Sequence, residues 1–297
     1  MHFDTVAIWG MGLLGGSLGL ALRERALAGR IIGVGRNIGR LEQARRAGAC
    51  DETTCDPATG FANADLVVLC TPVAVLADSL PRFGPLFKDG AIITDVGSTK
   101  RRIVEAADAS MPPGRRFVGS HPMSGSEMSG VEHARADLYV GNPCFLTPTP
   151  KTDADALAAL SRMWAAVGSR VIITDPVRHD AVTAAISHVP HLASSALMRL
   201  AMSIGEDENY LAAIAGPGFW DMTRLAKGDL AMWKEICTEN RDAIADRLNG
   251  LIRFLSEARR IILDGGDIEA WLARARDERL ELDELRKPIA PPEDAFS

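Results

Sequence analysis

Aromatic residues are sparse in this chain, 5% of 297 residues with only two tyrosines. Cysteine is sparser still. The five, Cys50, Cys55, Cys70, Cys144 and Cys237, are odd in number and form no CxxC pair. That excludes a disulfide framework and points to a reducing cytoplasm, with each thiol read as a small buried hydrophobe. No apolar run approaches the ~18 residues that a membrane helix needs. The start, MHFDTVAIWG, has no basic region ahead of a cleavable apolar stretch, so no signal peptide is read. Positive charge is not in excess: 33 Lys and Arg against 39 Asp and Glu leave a net charge of -6. A general nucleic-acid binder and a polybasic membrane patch are thereby disfavoured. No internal repeat or low-complexity block occurs. What is present, 47% apolar and 24% charged residues, is an ordinary globular composition, long enough for about two domains of ~150 residues.

The first half alternates. Apolar runs Val6–Trp9, Ile31–Val34, Leu66–Cys70 and Ala91–Thr94 are separated by helical patterns near Ser17–Ala28, Gly39–Ala47 and Val73–Leu80. Continuous apolar strands between amphipathic helices predict a parallel sheet covered on both faces, an α/β Rossmann-like domain. Val118, Cys144–Leu146 and Val171–Thr174 are candidates for further strands. After Asp175-Pro176 the pattern turns helical, interrupted at Gly216-Pro217-Gly218 and Gly265-Gly266. The expectation is a nucleotide-binding domain over 1–175 and an all-α domain over 176–297, with a loose proline-rich tail from 287 to 297.

Gly10-Met11-Gly12-Leu13-Leu14-Gly15 is a GxGxxG sequence that follows a strand and opens a helix, the context a dinucleotide site requires. Gly10 permits the tight turn, Gly12 lets backbone approach a pyrophosphate, and Gly15 lets helix and strand pack closely. Leu13 and Leu14 in the same loop, and Thr71 after the third run, are read as lining the cofactor too. The second strand ends Gly33-Val34-Gly35-Arg36-Asn37. An NAD site usually places an acid there to hold the ribose hydroxyls. Gly35 stands in its place and Arg36 follows, which suits a 2′-phosphate and favours NADP over NAD. The plainer alternative makes Arg36 a solvated residue stacking loosely on the adenine.

The segment Asp95-Val96-Gly97-Ser98-Thr99-Lys100 follows the fourth run. Ligands of open parallel sheets bind beyond the strands' carboxyl ends, so Ser98 and Lys100 are candidates to face nicotinamide and substrate. Ser98 as a helix N-cap is the alternative. His121, in Gly119-Ser120-His121-Pro122-Met123-Ser124-Gly125-Ser126-Glu127, lies between a short strand and a glycine-containing loop. Imidazole, with an unperturbed pKa of ~6.5, suits removal of an alcohol proton during hydride loss.

Five segments in series, GMGLLGGS, DVGSTK, HPMSGSE, the His179–His191 stretch and GFWDMTR…MW from Gly218 to Trp233, resemble the prephenate/arogenate dehydrogenase family of tyrosine biosynthesis. The resemblance implies NAD(P)-dependent oxidation of the ring carbon bearing the hydroxyl, with loss of the ring carboxylate as carbon dioxide. It implies His121 as the polarising base and Ser98 as its hydrogen-bonding partner. Arg224 would clamp the ring carboxylate, and Asp221 would either join it or merely pair with it. His191 would sit near the substrate's side chain, Glu127 would shape the pocket, and Trp233 would lie by the site or in the core. His188 would hydrogen-bond within the fold, and Pro190 would bend its helix. No metal is implied, although His188 and His191 are spaced i, i+3. Where members often carry Lys or Arg before the aspartate, this chain has Trp220, which leaves prephenate and arogenate both open as substrates. The resemblance also implies a homodimer formed through the helical domain, for which the small and methionine-rich stretch Ala193–Ile204 is suited; an internal helix of a monomer is the alternative. Two other readings compete. A dehydrogenase of a related cyclohexadienyl or β-hydroxy acid would, in the latter case, need a glycine-rich lysine motif that the second half lacks. A dinucleotide-binding protein without turnover would not require His121, Ser98 and Arg224 together.

Overall fold

The computed structural model describes residues 2–125 and 128–286. Its first part runs β1 (Phe3–Trp9), α1 (Leu13–Glu24), β2 (Ala28–Val34), α2 (Ile38–Arg46), β3 (Glu52–Thr54), α3 (Pro57–Phe61), β4 (Leu66–Leu69), α4 (Val73–Phe83), β5 (Ile92–Asp95), α5 (Arg101–Ser110), β6 (Arg116–Pro122), β7 (Pro143–Thr147), α6 (Ala154–Ala166) and β8 (Arg170–Ile173). The strands form one sheet in the order β3-β2-β1-β4-β5-β6-β7-β8. All neighbours are parallel except β6 and β7, where His121 faces Phe145 across an antiparallel pair. The apolar runs do not reveal that reversal, because strand direction leaves no mark on a fully buried run.

The central strands are apolar on both faces because both are covered. On β1, Val6 and Ile8 pack into one core with Leu18, Leu22 and Trp164. Ala7 and Trp9 point the other way, into a core with Phe61, Phe83 and Phe87. Helix α1 starts at Leu13, earlier than its periodicity suggests, with Gly12 as its N-cap residue. It ends at Glu24, so Ala28 opens β2 instead of closing the helix. The strand β3 and helix α3, three and five residues long, are too short to show a period. Cys50 and Cys144 are buried as expected of small hydrophobes, whereas Cys55 is exposed.

Beyond β8 come α7 (Pro176–Thr183), a π-helical turn (Ala184–His188), α8 (Val189–Met202), α9 (Glu208–Ile214), α10 (Pro217–Thr223), a 3-10 turn (Arg224–Lys227), α11 (Leu230–Glu239), α12 (Arg241–Leu263) and α13 (Ile268–Arg286). Asp175 caps α7 by accepting the Arg178 N–H at 2.8 Å, and Pro176 occupies its first turn. Pro190 lies inside the helical run that continues from α7 through the π turn into α8, where the N–H it lacks removes a bond from the helix. The π turn Ala184–His188 lies directly before α8. By contacts, the chain divides into two compact units, one to Ile244 and one from Ala245. Helices α7 to α11 thus fall in the same unit as the sheet. Among the described residues, no helix is long and apolar enough to cross a membrane.

The carboxyl ends of β5 and β6 are joined by a buried ion pair. Lys100 and Asp95 are fully buried and in contact. Lys100 Nζ also donates to the Ser120 carbonyl at 2.9 Å. Asp95 accepts the N–H groups of Gly97 at 2.8 Å and Ser120 at 3.1 Å. The expectation that Lys100 faces a ligand is therefore corrected: the tight turn after β5 folds its ammonium back onto Asp95. Removing one partner of such a pair leaves a buried charge uncompensated, at a cost of about 3–5 kcal/mol. Lys100→Met is expected to lower the unfolding free energy by about that amount in urea denaturation. An unchanged midpoint would contradict the clamp.

Candidate active site

The strand order reverses between β1 and β4, and the loops leaving these strands meet there. Gly10 has φ 101°, and a Cβ on it would lie 2.4 Å from the Cys70 carbonyl oxygen. A Cβ on Gly15 would lie 2.1 Å from the Gly10 oxygen. Neither position tolerates a side chain, so helix α1 begins tight against the crevice. Gly12 is exposed and a Cβ on it would meet nothing within 4 Å. No side chain caps α1, and the first N–H groups of a helix lack partners within it. They face outward with the positive end of the helix dipole, as an anion site requires. Leu13, Leu14 and Thr71 are half-buried around this loop. The Thr71 hydroxyl is shut from solvent and has no hydrogen-bond partner. Arg36 is exposed just past the end of β2. These features fit a dinucleotide, with its pyrophosphate at Gly10–Gly15 and its adenosine end toward Arg36.

His121 lies at the end of β6 and is 7% exposed. Its Nδ1 is 2.8 Å from Nε2 of His179 on α7. His179 Nδ1 is in turn 2.8 Å from Asp180 Oδ1. Asp180 also accepts the backbone N–H groups of Lys100, at 2.8 Å, and Arg101, at 3.0 Å. It therefore caps α5 from a distant helix. Ser98 does not: Lys100 is the N-cap residue and no local side chain caps this helix. Ser98 is half-buried in the turn after β5. His121 Nδ1 is engaged by His179.

A second set of rings continues along the same helices. Asn240 donates from Nδ2 to the Asp180 carbonyl at 2.8 Å and to His188 Nδ1 at 3.2 Å. His188 meets the edge of Trp233, with ring centroids 6.1 Å apart. His191 stacks flat on Trp233 at 3.6 Å and 12°. A Cβ on Gly228 would sit 2.5 Å from the Trp233 Nε1 and 2.7 Å from a His191 ring carbon, so only glycine admits this ring pair. Arg224 opens the 3-10 turn that packs on α8, where the Ala226 N–H meets Ser194 Oγ at 3.2 Å. Its side chain is exposed, as is that of Asp221 on α10. Among the described residues no ion pair joins Asp221 to Arg224. Glu127 lies outside the described residues. No group of three or more metal-ligating side chains is found among the described residues.

Burial keeps these imidazoles neutral. It holds His121 well below the usual histidine value, helped by charge on His179, Lys100 and His188. Burial also lowers His179, against the pull of Asp180. It pushes His188 down to about 4 and lowers His191. Burial opposes ionisation of Asp180, but His179 and the α5 N–H groups hold its carboxyl below the ordinary range.

A family model described as "Prephenate dehydrogenase, nucleotide-binding domain" matches residues 18–173. A second, "Prephenate dehydrogenase, dimerization domain", matches residues 175–274. The chain belongs to the prephenate dehydrogenase family. It is 33% identical to the prephenate dehydrogenase of Bacillus subtilis (strain 168) over 97% of its length and 78% of the relative's. The crystal structure of the Aquifex aeolicus prephenate dehydrogenase, in complex with hydroxyphenyl propionate and NAD+, superposes with a TM-score of 0.88 at 31% identity, covering 95% of this chain and 99% of that one. A Synechocystis arogenate dehydrogenase superposes with a TM-score of 0.81 at 29% identity, covering 94% and 99%. The chain is thus an NAD(P)-dependent oxidoreductase of the prephenate and arogenate dehydrogenase kind.

Sequence reasoning assigned no role to His179, Asp180 or Asn240. The adjacent His179-Asp180 pair, just inside a helix announced by Asp175-Pro176, was the available signal. Nothing in the chain pattern shows which strand end it meets.

Neutral buried histidines make stability fall in acid. A folded pKa below the unfolded ~6.5 means that the unfolded chain binds more protons below pH 6.5. The stability is full above that value and is lost as pH falls through the folded values, to about 4 for His188. For His188 alone the loss amounts to about 3 kcal/mol. Urea unfolding between pH 7 and 4 is expected to show this decline, and His188→Gln to flatten it by about that amount. Equal slopes for the two proteins would contradict the assignment.

Proposed function

We propose that this enzyme oxidises and decarboxylates prephenate or arogenate in tyrosine biosynthesis, with His121 as the base on the ring hydroxyl. The observation that carries the reading is the position of His121: at the carboxyl end of β6, beyond the glycine crevice, with Nδ1 held and, among the described residues, no partner on Nε2. Bound nicotinamide would supply the hydride acceptor. As hydride leaves the ring carbon, partial transfer of the hydroxyl proton to Nε2 raises electron density on that carbon and lowers the barrier. The bond to the ring carboxylate breaks, its electron pair enters the ring, and carbon dioxide departs. The proton returns to the oxygen, which is now phenolic. Aromatisation and the loss of a gas drive the step, so the protein's part is to position and polarise.

Arg224 is assigned to the ring carboxylate, because an exposed guanidinium on a short turn can form a bidentate clamp. Ser98 is assigned to the hydroxyl and nicotinamide side, and the stacked His191–Trp233 pair to the wall beside the substrate side chain. Asp221 and Glu127 complete the pocket in this reading. The missing acid at Gly35 and the exposed Arg36 support NADP as the preferred cofactor, with NAD as the alternative. Leu200, Ile204, Ile214 and Met222 are each about 60% exposed, an apolar surface of the kind that association covers. It supports a homodimer formed by α8 to α10. A cytoplasmic location, with neither nucleic acid nor membrane as partner, belongs to the same proposal.

The test is a steady-state assay crossing prephenate and arogenate with NADP and NAD. His121→Asn is expected to lower kcat roughly 10²- to 10⁴-fold with cofactor affinity nearly intact. In the same assay Arg36→Ala is expected to weaken NADP roughly 10- to 100-fold and to leave NAD almost unchanged. Unchanged turnover in the first variant would overturn the role of His121, and equal losses in the second would overturn the phosphate contact.

A further inference from the structure

We propose that His179 and Asp180 are positioning residues that lock His121 in one tautomer, with the proton on Nδ1 and the lone pair on Nε2. The inference deepens the functional reading above and rests on it for its catalytic consequence.

The assignment follows from donors and acceptors alone. Both oxygens of Asp180 receive backbone N–H groups from the start of α5, at 2.8 and 3.0 Å. An oxygen so supplied stays an acceptor. The atom 2.8 Å from Asp180 Oδ1, His179 Nδ1, must then carry a hydrogen. A neutral imidazole has one N–H, so His179 Nε2 is an acceptor. The atom 2.8 Å from it, His121 Nδ1, must therefore be the donor. That leaves the lone pair of His121 on Nε2, the nitrogen with no hydrogen-bond partner among the described residues. The opposite tautomer would present an N–H to the hydroxyl and could not take its proton.

The remaining groups around His121 do not compete for Nδ1. Lys100, at the start of α5, is consumed by Asp95 of β5 and the Ser120 carbonyl. His188, in the π turn, accepts from Asn240. Cys144 of β7 is held as a thiol by burial. Burial of His121 and His179 keeps both rings neutral, which the single-proton argument requires.

Asp180→Ala is the decisive variant. It removes the acceptor that keeps the proton on His179 Nδ1, so nothing then fixes either ring in one tautomer. Tautomers are read directly from imidazole 15N spectra of labelled protein, with His121→Asn used to assign the His121 signals. The expected spectrum of the unaltered enzyme has His121 protonated on Nδ1. Asp180→Ala is expected to populate the form of His121 protonated on Nε2 and to lower kcat roughly tenfold or more with little change in KM. His179→Leu should lose as much, whereas His179→Gln, whose side-chain oxygen can still accept from Nδ1, should stay within about tenfold of the unaltered enzyme. The proposal is overturned if the unaltered enzyme carries the proton on Nε2. It is also overturned if Asp180→Ala moves neither tautomer nor kcat, or if His179→Gln falls as far as His179→Leu. An unaltered enzyme with the expected spectrum but no turnover of prephenate or arogenate would overturn the functional reading and leave the lock standing.

Discussion

The carboxylate of Asp180 is the point on which the site hangs. It closes the open end of α5 by taking two backbone N–H groups, and it orients His179 and, through it, His121. Hydrogen bonds to a charged group are worth about 1.5–3 kcal/mol each, more than neutral ones. A single side chain from α7 therefore serves as both helix cap and ring anchor. The base of the site is not held by its own strand alone. Its direction depends on the helical segment docking onto the ends of β5 and β6.

The sheet supplies the complementary constraint. Four strands, β1, β4, β5 and β6, run parallel and end on one side. Their loops are brought together by steric demands that only glycine meets: backbone oxygens occupy the space that Cβ atoms at Gly10 and Gly15 would need. The Lys100–Asp95 pair then stitches the β5 turn to β6 from beneath. A tight, preorganised floor of this kind suits a reaction whose driving force lies in the substrate. What the protein must contribute is alignment and a lone pair in the right place.

Much of this was legible in the residues. Strand, glycine loop and helix agreed at Gly10–Gly15, and the change to helices after Asp175 was plain from the loss of apolar runs. His121 stood out because imidazole seldom fills a core next to a glycine-containing loop. Other features depended on long-range geometry and left no local mark. Lys100 reads as a free cation beside a ligand, yet it is fully buried against a carboxylate five residues earlier. Ser98 has the sequence position of a helix cap, but the cap comes from Asp180, 80 residues beyond the Lys100 N–H that it accepts. The antiparallel turn of β7 and the flat stack of His191 on Trp233 follow from where elements dock, which no residue window contains.

The measurement closest to the centre of this account is a crystal structure of the enzyme with NADP and 4-hydroxyphenylpropionate bound. The account requires the phenol oxygen to lie within hydrogen-bonding distance of His121 Nε2, with His179 still on Nδ1 and the nicotinamide against the ring. A phenol bound away from His121, or a His121 ring turned so that Nδ1 faces the ligand, would contradict it.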